Sequence, residues 1–290
     1  MMYGFTLRRV VEAPASLRDF LMNDCGISRK MLTQVKQRGL ILVNDEARTV
    51  RYAVNIGDEV TVYFPTERPS DTMIASRRPL VILYEDDYLI AVDKPAGIAT
   101  IPSRLHPDDT LANAVLGYYH QIGLSSAIHV VNRLDRDTSG VVLFAKYAYV
   151  HHRFSELQQN GGLSRMYLAL VEGRVERQTI TAPIGRAPNS IMERIVTPDG
   201  QYAVTHVLEA SERGEYTVLK IALETGRTHQ IRVHMRHIGH PLLGDTMYGG
   251  KPVLGRHALH SASATFCHPI SGERLCIEAA YPNDFEFIAR

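Results

Sequence analysis

Three cysteines, almost no net charge and no apolar run long enough to cross a bilayer are the first features of this 290-residue chain. Each shortage excludes something. Cys25, Cys267 and Cys276 are odd in number and widely scattered, which argues against a disulfide framework and for free thiols. The stretch from Met1 to Val11 lacks both a long apolar core and a small-residue cleavage site, so the expectation is a cytoplasmic protein with no membrane contact. A formal charge of +1 excludes a uniformly basic surface, although local basic patches remain possible beneath that average. Internal repeats are absent, and so is any sustained alternation of strands with helices. The pattern of hairpins with interspersed helices therefore predicts an α+β fold with a mainly antiparallel, mixed sheet.

The length suits two domains of unequal size. Within residues 1–64, Ser16 can cap a first helix bearing Leu17, Phe20 and Leu21, with Gly26 just past its end. A second helix runs from a Ser28 cap to Gln37 and buries Met31, Leu32 and Val35. Arg29, Lys30, Lys36 and Arg38 stay on its surface with no acidic residue between them, a pattern suited to phosphate contacts. Strands at Leu40–Val43 and Val60–Phe64 complete the unit. Residues 65–79, with prolines at 65, 69 and 79, read as a linker between independent cores. Residues 80–290 form the second domain. There, hairpin strands flank Glu85-Asp86-Asp87, and Thr110–Ile122 and Ala148–Gln159 are expected helices. Tyr167–Val171, Val204–Glu209 and Tyr216–Glu224 are expected strands, and the segment 178–200 reads as loops and short strands.

Chemistry concentrates in three stretches. The first is the charged loop Asn132-Arg133-Leu134-Asp135-Arg136-Asp137-Thr138-Ser139-Gly140, held between two apolar runs, Ile128–Val131 and Val141–Ala145. A carboxylate pinned at both ends of its loop, as Asp135 would be, is a candidate nucleophile. The second is Gly226-Arg227-Thr228-His229-Gln230-Ile231-Arg232-Val233-His234, where Ile231, Met235 and Ile238 recur at helical spacing and leave Arg232 and Arg236 on another face. The third is Arg165-Met166-Tyr167, at the start of a strand. His229, His234, His237 and His240 invite a zinc reading, but Arg227, Arg232 and Arg236 would repel a dication, so no metal is expected.

Arg133-Leu134-Asp135-Arg136-Asp137-Thr138-Ser139-Gly140 resembles the signature of the RluA-type RNA pseudouridine synthases. Further family-like phrases occur from Leu80 to about Pro282. The resemblance implies that Asp135 is catalytic, that Arg227 pairs with it, and that Tyr167 stacks on the target base or moves a proton. It departs at Asn132, where the family usually has histidine, and at Arg165, where it usually has lysine. Residues 1–64 resemble the small RNA-binding domain named after ribosomal protein S-four. The implied activity is isomerisation of uridine to pseudouridine in structured ribosomal or transfer RNA, by a monomer without a cofactor. Asp135 would either add to C1′ or abstract a sugar proton. Arg133 and Arg136 would fill the gap left by a flipped base or hold phosphates, and Arg165 and Arg232 would add RNA contacts. A noncatalytic RNA-binding protein and a glycosidic-bond hydrolase are the alternatives. The first is disfavoured by the joint presence of all three motifs, the second by the lack of a paired acid at recognisable spacing.

Overall fold

The computed structural model describes residues 3–103 and 107–285; the extreme ends of the two expected domains, 1–2 and 286–290, lie outside the described residues. An N-terminal sheet is antiparallel, in the order Tyr3–Val10, Glu59–Pro65, Leu40–Val43, Glu46–Ala47. Its first strand was not anticipated, although Phe5 and Leu7 turn inward at period two while Thr6 and Arg8 face out. The helix Arg29–Arg38 begins where Ser28 Oγ accepts the Met31 N–H and ends at Gly39, as expected. The first predicted helix keeps its Ser16 cap and ends before Gly26 but winds unevenly: one α-turn at Leu17–Asp19 runs into a wider π-turn at Phe20–Asp24.

The main sheet is mixed. Its path is Gln178–Thr181, Val204–Arg213, Tyr216–Leu223, Leu163–Glu172, Leu259–Cys267, Ser139–Ala145, Leu89–Lys94, Val81–Glu85. Neighbours along it are antiparallel except Ser139–Ala145 beside Leu259–Cys267, which pair in parallel at Ser139 with His260 and Gly140 with Ser261. Ser139–Ala145 is buried throughout. Val142 and Phe144 face a core shared with the helices Leu111–Gln121 and Gln230–His237, whereas Val141, Leu143 and Ala145 face the helix Ala148–Gln159 and the N-terminal unit. Burial on both faces is why this strand reads as a continuous apolar run.

The expectation of independent cores fails. Phe5 stacks on Tyr147 and Tyr149 with ring centroids 5.2 and 5.5 Å away, and Phe64 lies 5.4 Å from Tyr149. Tyr149 Oη donates to the Cys25 carbonyl at 2.6 Å. Residues 66–80 carry no regular structure, as expected of a linker, but they are tied down. Asn113 Nδ2 donates to the Ile74 carbonyl, Ser76 N–H donates to the Asn113 carbonyl, and Glu67 accepts from the Ala148 N–H and meets His129. The physical reason is apolar demand: the Phe5 and Phe64 rings, at the edge of the small unit's core, are buried against Tyr147 and Tyr149 of its neighbour instead of meeting water.

Candidate active site

The loop carrying Asp135 is fixed from several sides. Before it, Asn132 spans the neighbouring strand: Nδ2 donates to the Val141 carbonyl at 3.2 Å and Oδ1 accepts the Leu143 N–H at 2.8 Å. An amide side chain here satisfies two backbone groups that the short strand His129–Val130 no longer reaches. In the loop, Thr100 Oγ1 donates to the Leu134 carbonyl and accepts its N–H, and Thr138 N–H closes a turn onto the Asp135 carbonyl at 3.1 Å. Lys94 is fully buried and gives its ammonium to three carbonyls, Pro95, Ile98 and Arg136, at 2.8–3.0 Å. Burial pulls its pKa down to about 7, against the opposing pull of Asp135 and Asp137. After the loop, Gly140 has φ +109°, and a Cβ there would collide with the Ser261 carbonyl, so only glycine lets the parallel strands approach.

The Asp135 carboxylate faces a small cleft of about 60 Å3 lined in part by Arg133, Tyr167, Leu223, Arg227, His229 and Arg232. Its partner is Arg232, not Arg227. Arg232 Nη1 donates to Asp135 Oδ2 at 3.2 Å, while Nε and Nη2 form a bidentate pair with Asp245 at 2.7 and 2.8 Å. The guanidinium also lies 4.9 Å from the Tyr248 ring centroid. Burial would lower the Arg232 pKa, but Asp245 and Asp135 together more than offset it and hold the group above its ordinary value. One buried cation thus serves two carboxylates, one of them sealed and the other open to the cleft.

Arg227 instead donates from Nε to the Tyr202 carbonyl at 2.9 Å, on the rim of the cleft. Arg232 is likewise too buried, at 6% exposure, to be the RNA contact its sequence spacing suggested. The helix Gln230–His237 buries Gln230 to Met235 on all sides, so a polar residue off the apolar stripe does not reach solvent. Arg236, one turn on, is exposed and pairs with Glu193 at 2.8 Å.

His229 enters the cleft from a left-handed backbone position, φ +57°. Tyr248 Oη accepts the Arg194 N–H, which leaves its own proton for His229 Nδ1 at 2.8 Å. The His229 Nε2–H then faces Asp135 at 3.9 Å. Burial lowers the His229 pKa, and Asp135 acts against this shift. His234 is a core residue bonded to Thr205 and the Ala182 carbonyl, and His240 bonds the Glu172 carbonyl. Among the described residues, no group of three or more His, Cys, Asp or Glu side chains is arranged to hold a metal.

Tyr167 is 5% exposed, and a bulge in its strand at Met166/Tyr167 seats it opposite Ile221 and Ser261. Burial raises its pKa, with Arg165 opposing, so it is a neutral phenol at physiological pH: a donor rather than a base. Arg165 is half buried beside Gly226, and its Nε has no hydrogen-bond partner among the described residues. Arg133 and Arg136 are exposed at the loop, Arg136 pairing with Asp137. Arg29, Lys30, Lys36 and Arg38 are exposed on the N-terminal helix, and none forms an ion pair among the described residues. Sequence reasoning thus brought Asp135, Tyr167, Arg227 and Arg133 to one cleft. It overlooked Asp245 and Lys94, which lie outside the three stretches where chemistry concentrates.

Comparison with known proteins bears on this site directly. Residues 88–237 match the RNA pseudouridylate synthase family, an interval that holds both the Asp135 loop and Arg232. The chain is 46% identical to the RNA pseudouridine synthase YjbO of Bacillus subtilis (strain 168), over 90% of this chain and 94% of that one. It is 37% identical to ribosomal large subunit pseudouridine synthase D of Xanthomonas campestris pv. campestris, over 89% and 83% of the two chains. Among solved structures, human RNA pseudouridylate synthase domain containing 1 superposes with a TM-score of 0.55 at 26% identity, covering 73% of this chain and 86% of that one. Human RNA pseudouridylate synthase domain containing 4 shares the fold, with a TM-score of 0.58 at 21% identity over 72% and 93% of the chains. No helix of the described residues is long and apolar enough to cross a membrane. The chain belongs to the RNA pseudouridylate synthase family and isomerises uridine in RNA to pseudouridine.

Proposed function

We propose that Asp135 is the catalytic carboxylate of this isomerisation. The observation that carries the reading is its position: open to the cleft on one side and paired on the other to a buried, doubly anchored Arg232. Pseudouridine formation breaks the C1′–N1 bond, turns the base and joins C1′ to C5. It therefore needs a carboxylate aimed at an electron-poor sugar carbon, and the Arg232 guanidinium fixes the direction of the Asp135 carboxylate. Tyr167, a buried neutral phenol, supplies a flat face for the detached uracil and a donor beside the carboxylate. Its high pKa suits donation, not removal of the C5 proton. Arg133 and Arg227 line the rim of the cleft, and the base enters between them. Those arginines then meet phosphates of the flipped nucleotide.

The substrate assigned here is structured ribosomal RNA, in keeping with relatives named for the large ribosomal subunit, and the place of action is the cytoplasm. Residues 1–64 act as an RNA-binding domain of the ribosomal protein S-four type. What supports this is a helix with four exposed basic side chains, none ion-paired among the described residues, on a small sheet. Such contacts give position and affinity without reading sequence. The decisive experiment uses RNA tritiated at uridine C5. Wild-type protein should release tritium, and Asp135→Asn should lower release at least a thousandfold with RNA affinity within about threefold, since a neutral amide keeps the shape and loses the charge. Activity within tenfold of wild type would remove Asp135 from the mechanism.

A further inference from the structure

Leu134 seats the middle of the Asp135 loop in the apolar core, whereas its far end, at Ser139, borders open space. Behind it opens a cleft of about 450 Å3 bordered by Lys94, Ser139, Arg256, His260, Tyr281 and Asp284. At that far end the loop is held by polar contacts. The segment 256–260 provides them to three consecutive residues. Arg256 Nη1 donates to the Asp137 carbonyl at 3.0 Å, His257 Nε2 meets Thr138 Oγ1 at 2.7 Å, and both Arg256 Nη2 and His260 Nδ1 meet Ser139 Oγ, at 3.3 and 2.9 Å. Ser139 Oγ, which accepts from Arg256, has a lone pair and a proton left for its bond with His260 Nδ1. Arg256 is itself gripped from outside. Asp284 takes its Nε and Nη2 in a bidentate pair at 2.7 and 3.0 Å, and the Phe285 ring centroid lies 4.6 Å from the guanidinium carbon.

We propose that Arg256 is a positioning residue for the pseudouridine reaction, which couples the C-terminal turn at Asp284 and Phe285 to the loop that aims Asp135. It touches no reacting atom. Its planar fork bonds Asp137, Ser139 and Asp284 at once, which a lysine ammonium does not reproduce. The inference rests on Asp135 being the catalytic carboxylate, so Asp135→Asn is measured alongside; activity retained there defeats that reading and leaves the Arg256 result separate. For Arg256→Ala, kcat should fall roughly ten- to a hundredfold, since about 1 Å of misplacement costs this much, while KM and RNA affinity stay within about twofold. Millimolar guanidinium should restore part of the lost turnover. Arg256→Lys should retain the melting temperature and still lose turnover. Should Arg256→Ala fail to fold, Asp284→Asn, at an exposed partner, is expected to lower kcat about threefold with KM unchanged. A folded Arg256→Ala or Arg256→Lys with wild-type kcat, a loss appearing in KM instead, or an absence of guanidinium rescue would overturn the proposal.

Discussion

Arg227 and Arg232 differ by five positions and by nearly everything else. Both are arginines of one phrase, yet one lies on the rim against the Tyr202 carbonyl and the other is buried between Asp245 and Asp135. A fork that binds Asp245 through two parallel bonds and reaches Asp135 with its remaining nitrogen has no lysine equivalent. Arg232→Lys should therefore lower turnover on the order of 10²-fold, because the Asp135 carboxylate loses its orientation. Arg227→Lys should keep kcat within about threefold and shift KM. Steady-state tritium release on both variants, with circular dichroism to confirm folding, decides the matter; the opposite ranking would restore Arg227 as the partner. The Asp135 loop was legible because its residues are contiguous and flanked by apolar runs that announce buried strands. The choice of arginine was not. Helical spacing says which residues share a face, but it does not say that the helix is covered on every side from Gln230 to Met235, so that a side chain off the apolar stripe there meets a buried carboxylate instead of solvent.

At the scale of elements, the strand Leu259–Cys267 and the residues leading into it store a pH sensitivity. His257 and His260 are 5% and 1% exposed, and burial pushes both pKa values down to about 4. Arg232 adds to the shift at His257 and Asp135 opposes it, while at His260 the Ala279 backbone opposes it. In the unfolded chain each imidazole titrates near ~6.5. Between pH 6.5 and 4 the unfolded state thus binds protons that the folded state refuses. Stability rises with pH across that window and falls on acidification, by about 3 kcal/mol per histidine at the lower end. Urea unfolding from pH 7 to 4.5 should show this slope, and His260→Gln should make it visibly shallower; an identical slope in the variant would mean that His260 protonates freely in the fold. The strands and helices themselves were readable wherever a period or a cap was clean, as in Arg29–Arg38 and Ala148–Gln159. The opening strand Tyr3–Val10 was missed because its partner, Glu59–Pro65, lies some fifty residues away.

For the whole molecule, the division of the chain at residues 65–79 describes its sequence better than its energetics. Proline and serine punctuation marks a break in local pattern, yet it carries no information on whether the units on either side touch. They do so through Phe5, Phe64, Tyr88, Tyr147 and Tyr149, and through the Tyr149 hydroxyl on the Cys25 carbonyl. Burying one such aromatic ring contributes about 2 kcal/mol, so several rings at one junction amount to a large share of a domain stability of roughly 5–15 kcal/mol. Removing residues 1–64 would expose Tyr147 and Tyr149 on the face of the helix Ala148–Gln159 that supports Val141, Leu143 and Ala145 behind the Asp135 loop. The full chain should accordingly melt in one cooperative transition, and the truncated chain at least ~5 °C lower, with dye binding that reports exposed apolar surface. Two separate transitions in the full chain, the later one matching an unshifted melting temperature of the truncated protein, would show that the aromatic junction contributes little and that the catalytic domain stands alone.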